Sequence, residues 1–383
     1  MNSQKHLFSL DPDVTYLNCA YMSPLMKSVE EAGIQGIRSK LQPNHVSGED
    51  FFRNNEKLRQ EYGRLINCSD VNRLVVVPSV SYGMANVANN LSLSKGDEIL
   101  IIDEQFPSNV YPWMRIAEAS GAQIKTVSAP ESLNQRGLTW NQRVLEAINP
   151  KTRLVACGHI HWADGTLFDL VSIRKRTNEV GALLVIDGTQ SIGALPFDVA
   201  EIQPDALIAA GYKSMMGPYS IGMAYYGEAF DNGIPIEENW INRFESKDFA
   251  NLVNYNDRYQ PGALRYEVGE RSNFILVPML LEAIKTLNEW QPRNVQEYCQ
   301  SITTDAVQEL IEHGYWVEDE LHRASNLFGI RLPDHITMEA VKRKLDTAGI
   351  FVSYRGDCIR VSPNVYNQTS DLLELANALT EIA

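Results

Sequence analysis

Between about residues 74 and 226 the chain repeats one pattern: a short β-branched or apolar run, a turn, then apolar positions at helical spacing. The apolar runs predict strands over residues 74–77, 98–102, 123–127, 153–158, 182–186, 206–209 and 222–226. Helices are predicted between them, over 82–90, 109–119, 141–148 and 170–180. Strands alternating with helices imply a mostly parallel sheet covered on both faces. Open sheets of this kind hold their ligands at the carboxyl ends of the strands.

After residue 226 the rhythm changes. Residues 231–268 are polar and aromatic without a period and read as an irregular connection. From residue 272 to about 313 the pattern is helical. Short strands near 315–317, 327–331 and 359–361 follow, with helices over 337–348 and 369–382. This α+β pattern predicts a second, smaller domain starting near residue 260. No internal repeat or low-complexity tract is present.

Composition narrows the field. Hydrophobic residues make up 44% and charged residues 21% of the 383 positions, which suits a soluble globular enzyme. With 48 acidic and 34 basic residues the formal charge is −14, a field that repels nucleic acid and anionic membranes. The five cysteines, Cys19, Cys68, Cys157, Cys299 and Cys358, are scattered and contain no C-x-x-C pair. They indicate neither a disulfide framework nor a zinc site. The start lacks a signal-peptide core, and the longest apolar stretch, residues 273–281, is too short to span a membrane. A cytoplasmic protein is expected.

Common signatures are absent. There is no G-x-G-x-x-G, P-loop, G-x-S-x-G or H-E-x-x-H, which removes the main support for dinucleotide, nucleotide, serine-hydrolase and zinc-protease readings. His159 and His161 with Asp164 suggest metal ligands. Two histidines at i, i+2 on a strand end point to opposite faces, so no metal site is expected there.

Two strand ends carry better chemistry. The run Leu183-Leu-Val-Ile ends on Asp187, and Ala206-Leu-Ile-Ala-Ala-Gly-Tyr212 delivers Lys213. Alone, Asp187 reads as the cap of the next turn and Lys213 as a surface lysine. Together they fit pyridoxal phosphate, which needs a lysine for its Schiff base and an acid at its pyridine nitrogen. A phosphate site is also at hand, because Pro78-Ser-Val80-Ser81 leaves the first strand and opens a helix, where Ser81 reads as a good N-cap.

At Asp187-Gly-Thr-Gln190-Ser-Ile-Gly-Ala and Gly211-Tyr212-Lys213-Ser-Met-Met-Gly-Pro the chain resembles the class V aminotransferase group of fold-type I pyridoxal phosphate enzymes. That group includes cysteine desulfurases, kynureninases and isopenicillin N epimerases. The resemblance runs from Tyr16 to Asn367. It implies a large α/β cofactor-binding domain over 20–260 and a smaller α+β domain over 261–383 with residues 1–19. By this likeness Lys213 forms the Schiff base and shuttles the substrate's α-proton, and Asp187 pairs with the pyridine nitrogen. Gln190 bonds the ring's phenolic oxygen, Phe106 stacks on the ring, and the Tyr212 hydroxyl reaches the phosphate. Val80, through its N–H, and Ser81 match the phosphate turn, and Arg360 grips the substrate carboxylate. On its own, Phe106 also reads as core packing.

Departures from the family pattern bear on the reaction. The loop that carries the persulfide-forming cysteine in desulfurases is missing, and Cys358, two residues from Arg360, suits packing. Trp162 stands where many relatives have Asn. Glu270 stands where a Thr binds the phosphate across a dimer interface, which leaves Ser272 as a candidate for that task. The expectation is a homodimer, with residues 272–290 contributing to its interface, that acts on an amino acid or amine, foremost as an aminotransferase. Epimerase or C–S/C–C lyase chemistry on the same site, or a non-catalytic protein retaining the fold, are the alternatives.

Overall fold

Short apolar segments separated by turns and helices give the chain its order, and the computed structural model describes residues 1–382. A two-residue strand β1 (Thr15–Tyr16) and the helices α1 (Lys27–Ser39) and α2 (Asp50–Leu65) come first. The alternating region follows as β2 (Leu74–Val77), α3 (Val80–Asn89), β3 (Glu98–Ile102), α4 (Tyr111–Ser120), β4 (Gln123–Val127), α5 (Arg136–Ala147) and β5 (Thr152–Gly158). It continues through α6 (Leu170–Val180), β6 (Leu183–Asp187), α7 (Val199–Ile202), β7 (Ala206–Ala210) and β8 (Gly222–Tyr226). Then come α8 (Leu276–Trp290), α9 (Pro292–Glu312), β9 (Trp316–Val317), β10 (Phe328–Arg331) and α10 (Met338–Thr347). Last are β11 (Ile350–Phe351), β12 (Ser353–Arg355), β13 (Cys358–Val361) and α11 (Thr369–Thr380).

The large sheet has the order β2-β8-β7-β6-β5-β3-β4. Strand β8 runs antiparallel to β2 and β7, and the other pairings are parallel. Alternate side chains of the strands enter two cores. Leu184, Ile186 and Leu207 face one, and Val185 and Ile208 face the other. Each fully buried side chain of this kind contributes roughly 1.5–3 kcal/mol, which is why strands this short stay in place. The fold is thus an α/β fold with a mostly parallel central sheet, as expected. The parallel register brings Gly158 beside Asp187 on one side and Ile208 of β7 beside it on the other.

Residues 231–268 lack strands and long helices, as their pattern suggested. Side chains of α3 and of the residue that caps its end fasten this segment. The Ile234 N–H donates to Asn90 Oδ1 at 2.6 Å, and the Ile236 N–H to Asn86 Oδ1 at 3.1 Å.

The small antiparallel sheet has the order β12-β13-β10-β9. Strand β1 pairs in parallel with β11, so Thr15 lies beside Ile350 and the chain's start joins its last third. Helix α8 buries Val277, Leu280 and Ile284 in a core of the large sheet. Helices α1 and α2 pack across it, and α1 comes so close that a Cβ at Gly36 would lie 2.2 Å from the Phe274 carbonyl oxygen. This covers much of the 272–290 segment that the resemblance offered to a second subunit.

Candidate active site

Strand β6 carries Asp187 out of the core to the sheet's carboxyl edge. Desolvation pushes its carboxyl above the usual range, opposed by hydrogen bonds from Thr189 and by the Lys213 charge. The Thr189 N–H donates to Asp187 Oδ1 at 3.0 Å, while Thr189 Oγ1 accepts from the Ala210 N–H at 3.2 Å. Thr189 therefore ties the acid to the end of β7.

The turn after β7 brings in Lys213, which is only 7% exposed. Its ammonium nitrogen lies 5.1 Å from the Phe106 ring centroid and 5.4 Å from that of Tyr212. Burial lowers its pKa to about 8, with Asp187 acting in the opposite direction and Arg360 and Arg355 adding to the depression. A lysine so placed holds far more nucleophilic amine near neutral pH than an ordinary lysine does.

At the other end, Ser79 caps α3, its Oγ accepting from the Tyr82 N–H at 3.2 Å and lying 2.9 Å from Ser81 Oγ. The N-cap is thus Ser79, not Ser81. Ser81 sits in the first turn because the extended backbone that a cap requires falls at Ser79. The first-turn N–H groups of Val80 and Ser81 have no acceptor inside the helix, and with the helix dipole they form an anion-binding end.

Val80, Ser81, Phe106, Asp187, Gln190, Tyr212 and Lys213 all line one cavity of about 280 Å³. Gln190 Nε2 donates to the Ala20 carbonyl at 3.2 Å, but its buried Oε1 has no partner. Tyr212 packs on Tyr219 with ring centroids 4.5 Å apart. Phe106 meets the Trp162 indole edge-on at 5.4 Å. Arg360 lies in an adjoining cavity of about 350 Å³ that shares Phe106, Trp162, Tyr212 and Lys213 with the first. It donates to the Trp162 carbonyl at 2.9 Å and to Ser353 Oγ at 3.2 Å, leaving its buried Nε unpartnered.

Sequence reasoning missed Ser79, Thr189, Tyr219 and Arg355. Arg355 lines the second cavity and has its guanidinium 5.2 Å from the Trp162 ring centroid. An arginine at an alternate position of the strand before Arg360 was the available signal. Trp162 lines both cavities, and its hydrogen bonds go to the scaffold, with Nε1 donating to the Glu104 carbonyl at 2.6 Å. Glu270 has a left-handed backbone (φ 56°), and neither it nor Ser272 lines these cavities. The Ser272 hydroxyl donates to the Phe51 carbonyl.

His161 is buried in a fixed network, with Nδ1 3.0 Å from Asp164 Oδ1 and Nε2 3.2 Å from the Asp103 carbonyl. Arg136 pairs with the same Asp164 at 2.8 Å. His159 packs on Phe197 instead, with its Nδ1 unpartnered.

The model of the aminotransferase class-V family matches residues 34–373, and the chain belongs to that family. The uncharacterized aminotransferase YcbU of Bacillus subtilis (strain 168) is 26% identical over 99% of this chain and 96% of its own length. Isopenicillin N epimerase of Streptomyces clavuligerus is 24% identical over 97% and 95% respectively. Among solved structures, a C-DES mutant with glycine covalently linked to its PLP cofactor superposes with a TM-score of 0.87 at 21% identity, covering 99% of this chain and 100% of that one. The cysteine desulfurase CsdA of Escherichia coli gives a TM-score of 0.80 at 21% identity, over 98% and 96%. These likenesses identify the fold as type I of the pyridoxal phosphate enzymes.

The protein is a pyridoxal-phosphate-dependent enzyme, and its residues fit that cofactor. The orphaned Gln190 Oε1, the desolvated Lys213 amine and the helix end at Val80–Ser81 are three polar features left without protein partners that the cofactor's polar groups would complete.

Proposed function

We propose that the protein is an aminotransferase acting on an amino acid through Lys213 and Asp187. Pyridoxal phosphate, when bound, supplies an electron sink for the substrate's α-carbon. Lys213 would hold the cofactor through its buried amine, and the same amine is placed to carry the substrate's α-proton. Asp187 would supply a counter-charge to the pyridine nitrogen, Gln190 would offer its unpartnered amide oxygen to the ring's phenolic oxygen, and Phe106 would pack against the ring. The Val80 and Ser81 N–H groups would hold the phosphate, with Tyr212 lining the same cavity. Arg360 orients the substrate carboxylate, which the guanidinium fork suits.

The observation that carries this reading is the buried Lys213 amine sharing one cavity with Asp187 and with the amino end of α3. Transamination is favoured over desulfuration because none of the five cysteines lines either cavity. Cys358 is buried, and desolvation pushes its thiol up to about 12, far from a nucleophile. The test is a panel of amino acids with a 2-oxo acid acceptor, followed by product identification. Amino-group transfer supports the reading, whereas inversion at the α-carbon without transfer, or release of sulfur or a carbon fragment, replaces it.

The protein is further read as a cytoplasmic homodimer. Five free cysteines suit a reducing compartment. The exposed Val253 and Tyr255, 78% and 98% accessible, offer apolar area to a second copy. Residues 20–260 form the cofactor unit and 261–383 with 1–19 the smaller one, with α8 shared between their cores. The pairing of β1 with β11 supports assigning the start to the smaller unit.

A further inference from the structure

The cavity that holds Arg360 contains a second arginine, besides the Lys213 amine it shares with the adjoining cavity. Strands β12 and β13 pair antiparallel, with Ser353 across from Arg360 and Arg355 across from Cys358. The two arginines are therefore diagonal neighbours on one face of the hairpin, a separation within reach of long side chains. That face is turned to the large domain. Arg360 reaches the Trp162 carbonyl, and both guanidiniums lie over the Trp162 indole, at 5.2 Å for Arg355 and 5.9 Å for Arg360.

No acidic residue lines this cavity, and in the adjoining one the only acid is Asp187, beside Lys213. Arg355 has a single protein acceptor, the carbonyl of Tyr354, and its buried Nε has none. Desolvation, with the Arg355 charge next, pushes the Arg360 guanidinium down to about 9. Besides Lys213, two guanidiniums thus face one recess whose lining holds no acid. The α-carboxylate of an amino acid offsets one of them. A neutral side chain would cover the other and leave its guanidinium without a counter-charge in the recess.

We infer that Arg355 binds an anionic group at the end of the substrate's side chain, so that the preferred amino donor is a dicarboxylic amino acid. This rests on the proposed aminotransferase site, with Arg360 on the α-carboxylate. Arg355 is a specificity residue here, apart from the cofactor's phosphate end, since it does not line the cavity that holds Val80 and Ser81.

The test compares aspartate and glutamate with their amides on the cofactor-loaded protein. The expected kcat/KM ratio of acid to amide is about tenfold or more in the native chain, and it falls by a similar factor in Arg355→Gln. Arg355→Lys restores part of the ratio. Calorimetric titration gives a readout independent of turnover: succinate binds the loaded protein at least about tenfold more tightly than butyrate, and Arg355→Gln removes that difference. Equal use of acid and amide by the native chain, or an unchanged ratio in Arg355→Gln, overturns the inference. Failure of the underlying reading looks different, as a protein that fixes no cofactor on Lys213 when reduced. The same titration on cofactor-free protein then decides the matter, and equal binding of succinate and butyrate overturns the assignment of Arg355.

Discussion

Lys213 and Asp187 share one buried cavity but make no ion pair; the acid acts on the amine only as a longer-range charge, and desolvation dominates both groups. The arrangement keeps the amine partly neutral while holding an acid close by. A direct salt bridge would have fixed the lysine as a cation and spoiled it as a nucleophile.

The first consequence is a pH dependence. Only the neutral amine attacks the cofactor's aldehyde, and the Lys213 pKa lies at about 8, below the ordinary 10.5, because of burial. Covalent capture of pyridoxal phosphate by cofactor-free protein is expected to accelerate as pH rises through about 8 and then level off. Stopped-flow absorbance against pH measures it. A midpoint near the ordinary lysine value would contradict the burial argument.

Replacing Asp187 by Asn removes the counter-charge while keeping the shape. The Thr189 N–H still has an acceptor, so the fold is expected to survive. Loss of one such preorganised electrostatic group costs about 10²–10³ in kcat. Steady-state kinetics at saturating cofactor tests this, and a change of less than about threefold would remove Asp187 from its assigned role at the pyridine nitrogen.

At the helix end, Ser79→Ala deletes the cap of α3. A stability loss of about 1 kcal/mol is expected, together with weaker cofactor retention, because the N–H groups at Val80 and Ser81 lose their fixed orientation. Denaturant titration and equilibrium dialysis read the two effects separately. Undiminished retention would show that the helix end does not hold the phosphate.

Away from the site, Glu267 is buried between Arg59, at 3.1 Å, and Arg271. Glu267→Gln leaves two buried guanidiniums without a counter-ion, and about 3–5 kcal/mol of stability should be lost. Chemical denaturation checks the figure.

How legible was this in the sequence? Strands such as β3 and β6 were, because their continuous apolar runs fit only a sheet buried on both faces. Asp187 and Lys213 came forward because two strand ends had to supply an acid and an amine, Gln190 and Phe106 through the resemblance to the class V family, and the structure brings all four into one cavity. Strands β1 and β11 did not come forward, since two residues carry no period and the pairing joins Thr15 to Ile350 across the whole chain. Helix α2 was hidden as well, for it buries Asn55 and Arg59 where a pattern search looks for apolar residues. Arg355 escaped for another reason. One arginine on a short strand looks like surface charge until Trp162, far away in sequence, comes to lie beneath it.

The most direct test reduces the purified, cofactor-loaded protein with borohydride and maps the labelled peptide by mass spectrometry. A pyridoxyl group on Lys213, absent from Lys213→Ala treated in the same way, is the expected result. Label on a different lysine, or equal label in the Lys213→Ala protein, would contradict the account.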